Sequence, residues 1–333
     1  MDIVTQGLLG AGLAQTAAGR DLRLATVVGF AAGLLPDADA LVRSDADPLL
    51  FLDFHRHFTH ALVFVPVGAA LASLVLWPFV RRRLTVSRLY LYAFLGCALA
   101  GALDACTSYG TYLFWPFLDE PVAWRIIAIF DPVFSLLLLL GVGIGVAIRR
   151  NSAARISLLL AVAYLGLGVW QHHRAEHVAR ALAAERGHSV ERLLVKPTLG
   201  NLVLWRSLYV ADGRLFADGV RCGLMGGERV YPGESRPLLQ PGSLPPDAGF
   251  KPSDIERFTR FADGLLVRHP TRPAMIGDAR FAMLPTRLRP LWGIEPVATG
   301  AVPGTRFVTD RSMSEDERGR FVDMLLGRPV AQP

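Results

Sequence analysis

"FLDFHRHFTHALVF", residues 51–64, sets His55, His57 and His60 within six residues and then runs into an apolar stretch that continues to about residue 80. Residues 60–80 have the length, about 20 residues, that a helix needs to cross a hydrocarbon core. Read as a membrane span, this stretch decides the fold class, and it places the histidines at the mouth of the span. Ionisable side chains there are costly and face a cavity or a partner. The cluster therefore marks a wet interface or holds something.

Further apolar runs lie at about residues 3–18, 22–35, 89–106, 126–148 and 156–171. The chain reads as a mostly α, polytopic membrane helix bundle of about six hydrophobic helices (residues 1–171), followed by a small α+β domain outside the membrane (172–333). The runs at 60–80 and 126–148 have full spanning length. The first two are short and rich in glycine and alanine, which suits close helix contact in lipid. Of the 333 residues 52% are hydrophobic, and the mean hydropathy of +0.35 is too high for an ordinary soluble chain. The N-terminus, "MDIVTQGLLGAG", has no basic leader and no cleavage pattern, so insertion relies on the internal spans.

Arginine decides the expected orientation. Arg20 and Arg23 follow the first run, "RRRLTVSR" (81–88) follows the third, and "RRNSAAR" (149–155) follows the fifth. In a six-span count all three loops fall on one side, which is then cytoplasmic. The alternate loops and everything after residue 172 face outward. The second domain opens with "QHHRAEHVARALAAERG", an amphipathic helix leaving the membrane, and continues with strand-like "LLVKP", "NLVLWRSLYV" and "RFAMLP" between Gly, Pro and Asp turns. His172, His173 and His177 on that helix read as interfacial, and His269 carries no signal. The net charge is +6, but all but two of the 35 basic residues are arginine and no basic stripe interleaves with aromatics. No nucleic-acid partner is expected. Cys97, Cys106 and Cys222 form no paired motif, so neither a disulfide framework nor a thiolate site is expected.

With this topology the unusual polar residues gather at one level. "LLPDADA" brings Asp37 and Asp39, "HRHFTH" brings His55 and His60, "GALDACTSYGT" brings Asp104 and Thr107, and "IFDPVF" brings Asp131. Imidazole and carboxylate without thiolate suit Zn²⁺, Mn²⁺ or Fe²⁺. Arg56 is placed to contact an anionic substrate. Each residue also has a plainer reading. Pro36-Asp37 can end a helix, Asp131-Pro132 has the form of a helix N-cap with proline at the first helical position, Thr59 can cap the third span, and His57 reads as a solvated loop residue.

The motifs "PDAD" (36–39), "HRHFTH" (55–60), "DACTSYGT" (104–111) with "WPF" (115–117), and "DP" (131–132) together resemble the YbcI/YdjM-type inner-membrane proteins, described as membrane-bound metal-dependent hydrolases. "NLVLW" (201–205) and "IGDARF" (276–281) look similar to that family's C-terminal part. The family is itself distantly similar to zinc-dependent phospholipase C. The resemblance implies a bacterial inner-membrane location, a divalent metal with zinc foremost, and Asp37, His55, His60, Asp104 and Asp131 as its ligands. Asp39 and Thr107 are then orienting or additional ligands. One departure stands out: the family begins with a Thr-His pair where this chain has Thr5-Gln6.

Two functional classes follow. The first is a hydrolase of a phosphoester in a lipid or lipid-linked substrate at the outer face, with Arg56 steadying charge on phosphorus and Asp39 accepting a proton. The alternative is a non-catalytic membrane protein with a structural metal site and an outer domain that binds a partner. A transporter would spread its ionisable residues across the membrane depth, which this chain does not do.

Overall fold

A computed structural model describes residues 1–44, 47–244, 249–299 and 302–330 of the chain. It divides into two compact units: Met1–Val42 with Phe54–Trp170 and Leu199–Leu202, and Arg43–Asp53 with Gln171–Thr198 and Val203–Pro333.

The first unit is helical. α1 (Ile3–Ala17) and α2 (Leu22–Gly33) are followed by a 3-10 turn over Pro36–Leu41. α3 (Leu50–Phe54) belongs to the second unit up to Asp53. Short 3-10 turns at Phe58–His60 and Leu62–Phe64 then lead into α4 (Val65–Val80). α5 (Val86–Cys97), α6 (Ala100–Ala105), α7 (Pro132–Ile148) and α8 (Ser152–Glu185) complete the helical series. Among the described residues three helical stretches are long and apolar enough to cross a membrane: Leu62–Val80, Val86–Ala105 and Ser152–Glu185. The expected run at 126–148 yields only the 17 residues of α7, because Asp131 and Pro132 start that helix late and residues 126–131 are not helical. α1 and α2, at 15 and 12 residues, are likewise short of a full crossing.

α1 packs on α2, α5 and α7, and α2 also packs on α4 and α5. Glycine permits the closest approach: a Cβ on Gly10 would meet Gly29 O at 2.5 Å and Gly96 O at 2.7 Å. Three backbones touch there because no side chain intervenes, as the glycine-rich runs imply. Segment 199–202 returns to this unit, with Gly200 N–H donating to Phe130 O at 3.1 Å.

The second unit is built on two antiparallel sheets. The first has five strands: β1 (Arg192–Pro197), β2 (Leu204–Ala211), β3 (Arg214–Cys222), β4 (Glu228–Tyr231) and β5 (Ser235–Pro237). Its order is β1-β2-β3-β4, with β5 on the free part of β3. The β2–β3 connection is Asp212-Gly213, both with positive φ (49° and 69°), as a tight hairpin requires. After α9 (Pro252–Phe261) come β6 (Leu266–Arg268), β7 (Ile276–Asp278), β8 (Trp292–Thr299) and β9 (Val302–Thr309), a four-stranded meander, and then α10 (Glu315–Leu326). Every residue of β2 is buried, including Arg206, whose guanidinium donates to the carbonyls of Ala279, Leu284, Pro285 and Arg287. That explains a correction: "RFAMLP" (280–285) is not a strand. Phe281 and Leu284 are buried, but two of the local carbonyls go to Arg206 rather than to a ladder.

The stretch from Gln171 onward is the C-terminal part of α8. Ala175, Ala179 and Ala183 recur every fourth residue and bury one face of it. Segment 43–53, lying far upstream in sequence, joins this unit through Leu49 and Leu52, which pack with Phe258 and Ile294.

Candidate metal centre

The histidine stretch is not helical up to the span. Arg56 adopts φ 62°, a left-handed conformation uncommon outside glycine. The turn is held from both sides. Arg56 N–H donates to Asp39 Oδ2 at 2.8 Å, and its carbonyl accepts from Thr111 Oγ1 at 3.0 Å and Tyr112 N–H at 3.2 Å. This reversal separates the three histidines. His55 turns toward Asp39, His60 is buried, and His57 packs against Tyr112 and Trp115, 3.8 Å from the exposed Asp119.

Asp39 organises the imidazoles. Its Oδ1 accepts from His55 Nδ1 at 3.0 Å, and its Oδ2 accepts from Thr59 Oγ1 at 2.7 Å. The single hydroxyl hydrogen of Thr59 is thereby used, so Thr59 Oγ1 accepts at its 3.1 Å contact with His60 Nδ1. His60 therefore carries its proton on Nδ1, and in the neutral ring the lone pair is on Nε2. That nitrogen faces Asp104 Oδ2 at 2.9 Å and Asp37 Oδ1 at 3.5 Å. Carboxylates that orient ring nitrogens in this way are the common support of metal-binding histidines.

Asp104 is held in α6 at the base of the site. Gln6 Nε2, from α1, donates to its Oδ2 at 3.0 Å, while Arg56 Nη2 lies 3.3 Å from Oδ1, which also meets the Met1 amine. Arg56 is itself buried, spanning Thr107 Oγ1 and Met1 O and lying over the Tyr109 ring. A glycine again sets the spacing: a Cβ on Gly101 would lie 2.0 Å from His60 O, so only glycine lets α6 come this close.

Burial alone would raise the Asp37 carboxyl, but the hydrogen bond and charge of His60, then Arg56, hold it below the usual carboxylate range. Asp39 is held lower still, where bonds from His55, His60 and Thr59 overcome its burial. Burial pulls the Arg56 guanidinium down, against the opposing pull of Asp37 and Asp39.

Two groups of ligand atoms result, each mutually within 4.8 Å: Asp37, Asp39 and His55, and Asp37, His60 and Asp104. Asp37 belongs to both. The donor set fits a divalent ion on a second count. Gln6 Oε1 and Asp37 Oδ2 are buried side-chain atoms without a hydrogen bond, and His60 Nε2, buried beside them, has carboxylates for neighbours. Such atoms are rare, and here two of them fall on one cluster.

Asp131 stands apart from both groups. It caps α7, its Oδ1 accepting from Val133 N–H and Phe134 N–H at 3.1 Å, while both of its oxygens accept from Tyr164 Oη. The Asp-Pro pair is thus placed in the capping role its sequence allows. Thr59, which the sequence also offers as a cap, couples Asp39 to His60 instead. Gln6, which stands where the resemblance implies a histidine, contacts Asp104.

A membrane protein with apolar spans, at whose helix ends and turns a buried imidazole–carboxylate cluster forms, is the class that fold and site define. The chain matches the YdjM inner membrane protein family over residues 1–175, more than half its length, and belongs to that family. No curated protein and no solved structure matches the chain.

Proposed function

We propose that this protein is a membrane-bound, metal-dependent hydrolase, a phosphoesterase acting on a lipid or lipid-linked substrate at the outer face of the inner membrane. The observation that carries this reading is His60 Nε2. It is buried, and its neighbours are two carboxylates at 2.9 and 3.5 Å. An imidazole nitrogen set against two carboxylates is relieved by a cation, either a proton on the ring or a metal ion shared by the three groups. His60, Asp37 and Asp104 would hold one divalent ion, zinc being the one this donor set suits best. When bound, such an ion supplies an acidified water and a Lewis acid for a phosphoryl oxygen.

The chain's own residues divide the remaining work. Asp39 keeps His55 and His60 aimed. Because its carboxyl is held so low, it suits positioning better than the proton acceptance its sequence context suggests. Arg56 balances Asp37 and Asp104, and its burial assigns it to holding the ligands more than to meeting substrate. Asp37, shared by both groups, is only part-buried, whereas Asp39 and Asp104 are buried.

One observation favours the non-catalytic alternative. The cavity beside His60, lined by Leu35, Thr59, Leu62, Phe64 and Gly101 among others, holds only about 10 Å³. That is room for one water, too little for a substrate headgroup to approach His60 from this side, although none of the cluster's carboxylates lines the cavity.

The test is the metal content of detergent-purified protein, wild type beside His60→Ala and Asp104→Ala. Bound zinc, manganese or iron, lost in both variants, is the expected outcome. A wild type that stays empty after reconstitution sinks both readings. Metal retained by the wild type without hydrolysis of any phosphoester lipid supports the structural site.

A further inference from the structure

The β3–β4 hairpin ends in an apolar tip that the second unit does not cover. Its loop, residues 223–227, reads Gly-Leu-Met-Gly-Gly, with Leu224 52% exposed and Met225 fully exposed. Two exposed apolar side chains at one tip are unusual for a segment facing only water, where turns are polar. The loop is nevertheless well defined. Gly223 N–H donates to Gly227 O at 2.9 Å, and a Cβ on Gly223 would lie 2.3 Å from Gly226 O.

The base of this loop is tied to one turn of α8. Gln171 Nε2 donates to Cys222 O at 2.8 Å, Arg174 Nη1 donates to Gly223 O at 2.8 Å, and Arg174 Nη2 pairs with Glu228. That turn is where α8 stops being apolar. "ISLLLAVAYLGLGVW" (156–170) carries no charge, and "QHHR" (171–174) follows it. From Ser152 to Gln171 the helix rises about 30 Å, the thickness of a hydrocarbon core. Gln171 and Arg174 therefore mark the level at which α8 leaves the lipid tails. Leu224 and Met225 are one and two residues beyond Gly223, at most about 7 Å of extended chain. The headgroup layer on each side of a bilayer is itself roughly 5–7 Å deep, which puts it within reach of the tip.

We propose that the 223–227 hairpin is a membrane-seated finger, with Leu224 and Met225 entering the headgroup layer and fixing the second unit against the lipid surface. Charge agrees with this occupant. Glu228 is paired with Arg174, leaving Arg229 exposed next to the tip for anionic headgroups. The proposal rests on α8 being a membrane span, and on nothing about the metal centre.

The test uses the full chain reconstituted in phosphatidylethanolamine–phosphatidylglycerol vesicles, with an environment-sensitive fluorescent amino acid at position 225, 159 or 256. Leu159 is exposed on the apolar part of α8, and Glu256 is exposed on α9. Lipids carry a nitroxide quencher on the headgroup or along the acyl chain. Expected are a blue shift and loss of emission at 225 with headgroup nitroxide, quenching at 159 with acyl-chain nitroxide, and neither at 256. A water-like, unquenched signal at 225 beside a quenched 159 overturns the proposal and leaves the tip to a protein partner. Failure at 159 as well removes the premise and the proposal together.

Discussion

Arg56 combines a strained backbone with a buried charge, and the two can be separated by substitution. Its φ of 62° costs a residue with a Cβ about 1 kcal/mol relative to glycine. Its guanidinium compensates Asp37, Asp39 and Asp104, and removing one partner of a buried ionic group costs about 3–5 kcal/mol. Arg56→Ala should therefore lower stability by that amount, and Arg56→Gly by about 1 kcal/mol less. Thermal unfolding in detergent checks the order. Equal losses in the two variants would mean that the turn is not held at positive φ. At this scale the sequence was most informative where residue types are costly. His55, His60, Asp37 and Asp104 stand out as ionisable groups beside apolar runs, and the structure brings their ligand atoms together. What it hides is direction. Nothing in "HRHFTH" announces that the chain reverses at Arg56, and that reversal sends His57 toward Tyr112 while His60 goes inward.

Helix starts and short tethers carry the next level. Asp131 begins α7 and receives Tyr164 Oη, so its removal deletes a cap, about 1 kcal/mol, and leaves a part-buried hydroxyl unpaired, about 1–3 kcal/mol. Asp131→Ala should be destabilised by about 2–4 kcal/mol on those terms, and Asp131→Asn by much less, since asparagine also caps. Neither should lose metal. A loss of metal in the asparagine variant would return Asp131 to the ligand set implied by the family resemblance. Hydropathy could not separate α7 from residues 126–131, because both are apolar, yet the Asp-Pro pair marked the boundary. In the second unit, His269 follows β6 and bonds through Nε2 to Asp310, just after β9. Burial pushes its imidazole below the ordinary value of ~6.5, more than Asp310 raises it. The folded unit then refuses a proton that the unfolded chain accepts. Stability present above pH ~6.5 is lost as pH falls below it. Melting followed between about pH 7 and 5.5 should show a falling midpoint, and His269→Gln should flatten that fall.

For the whole molecule, amino-acid composition separates apolar helices from a charged, turn-rich remainder, and the structure has helices in the first part and two sheets in the second. It could not show that residues 43–53 leave the helical unit for the sheet unit. Leu49 and Leu52 sit in a short apolar run that looks like a lead-in to the span, and their partners lie some 200 residues downstream in sequence. About six hydrophobic helices were read from hydropathy, two of them at full length, where among the described residues three helical stretches reach spanning length, since composition does not reveal where a helix is interrupted. Orientation, in contrast, rests on the arginine loops alone, and those loops make a definite prediction. If "RRRLTVSR" faces the cytoplasm, a cysteine replacing the exposed Arg83 reacts with a membrane-impermeant thiol reagent only in inverted vesicles. A cysteine replacing Glu256 reacts only in intact spheroplasts, because an uninterrupted α8 carries the chain to the other side. The three native cysteines are buried and leave little background. Labelling of both positions from one side would mean that an even number of crossings separates residues 83 and 256, and the short helix α7 would then be the one to re-examine, since at 17 residues it is the crossing that length supports least.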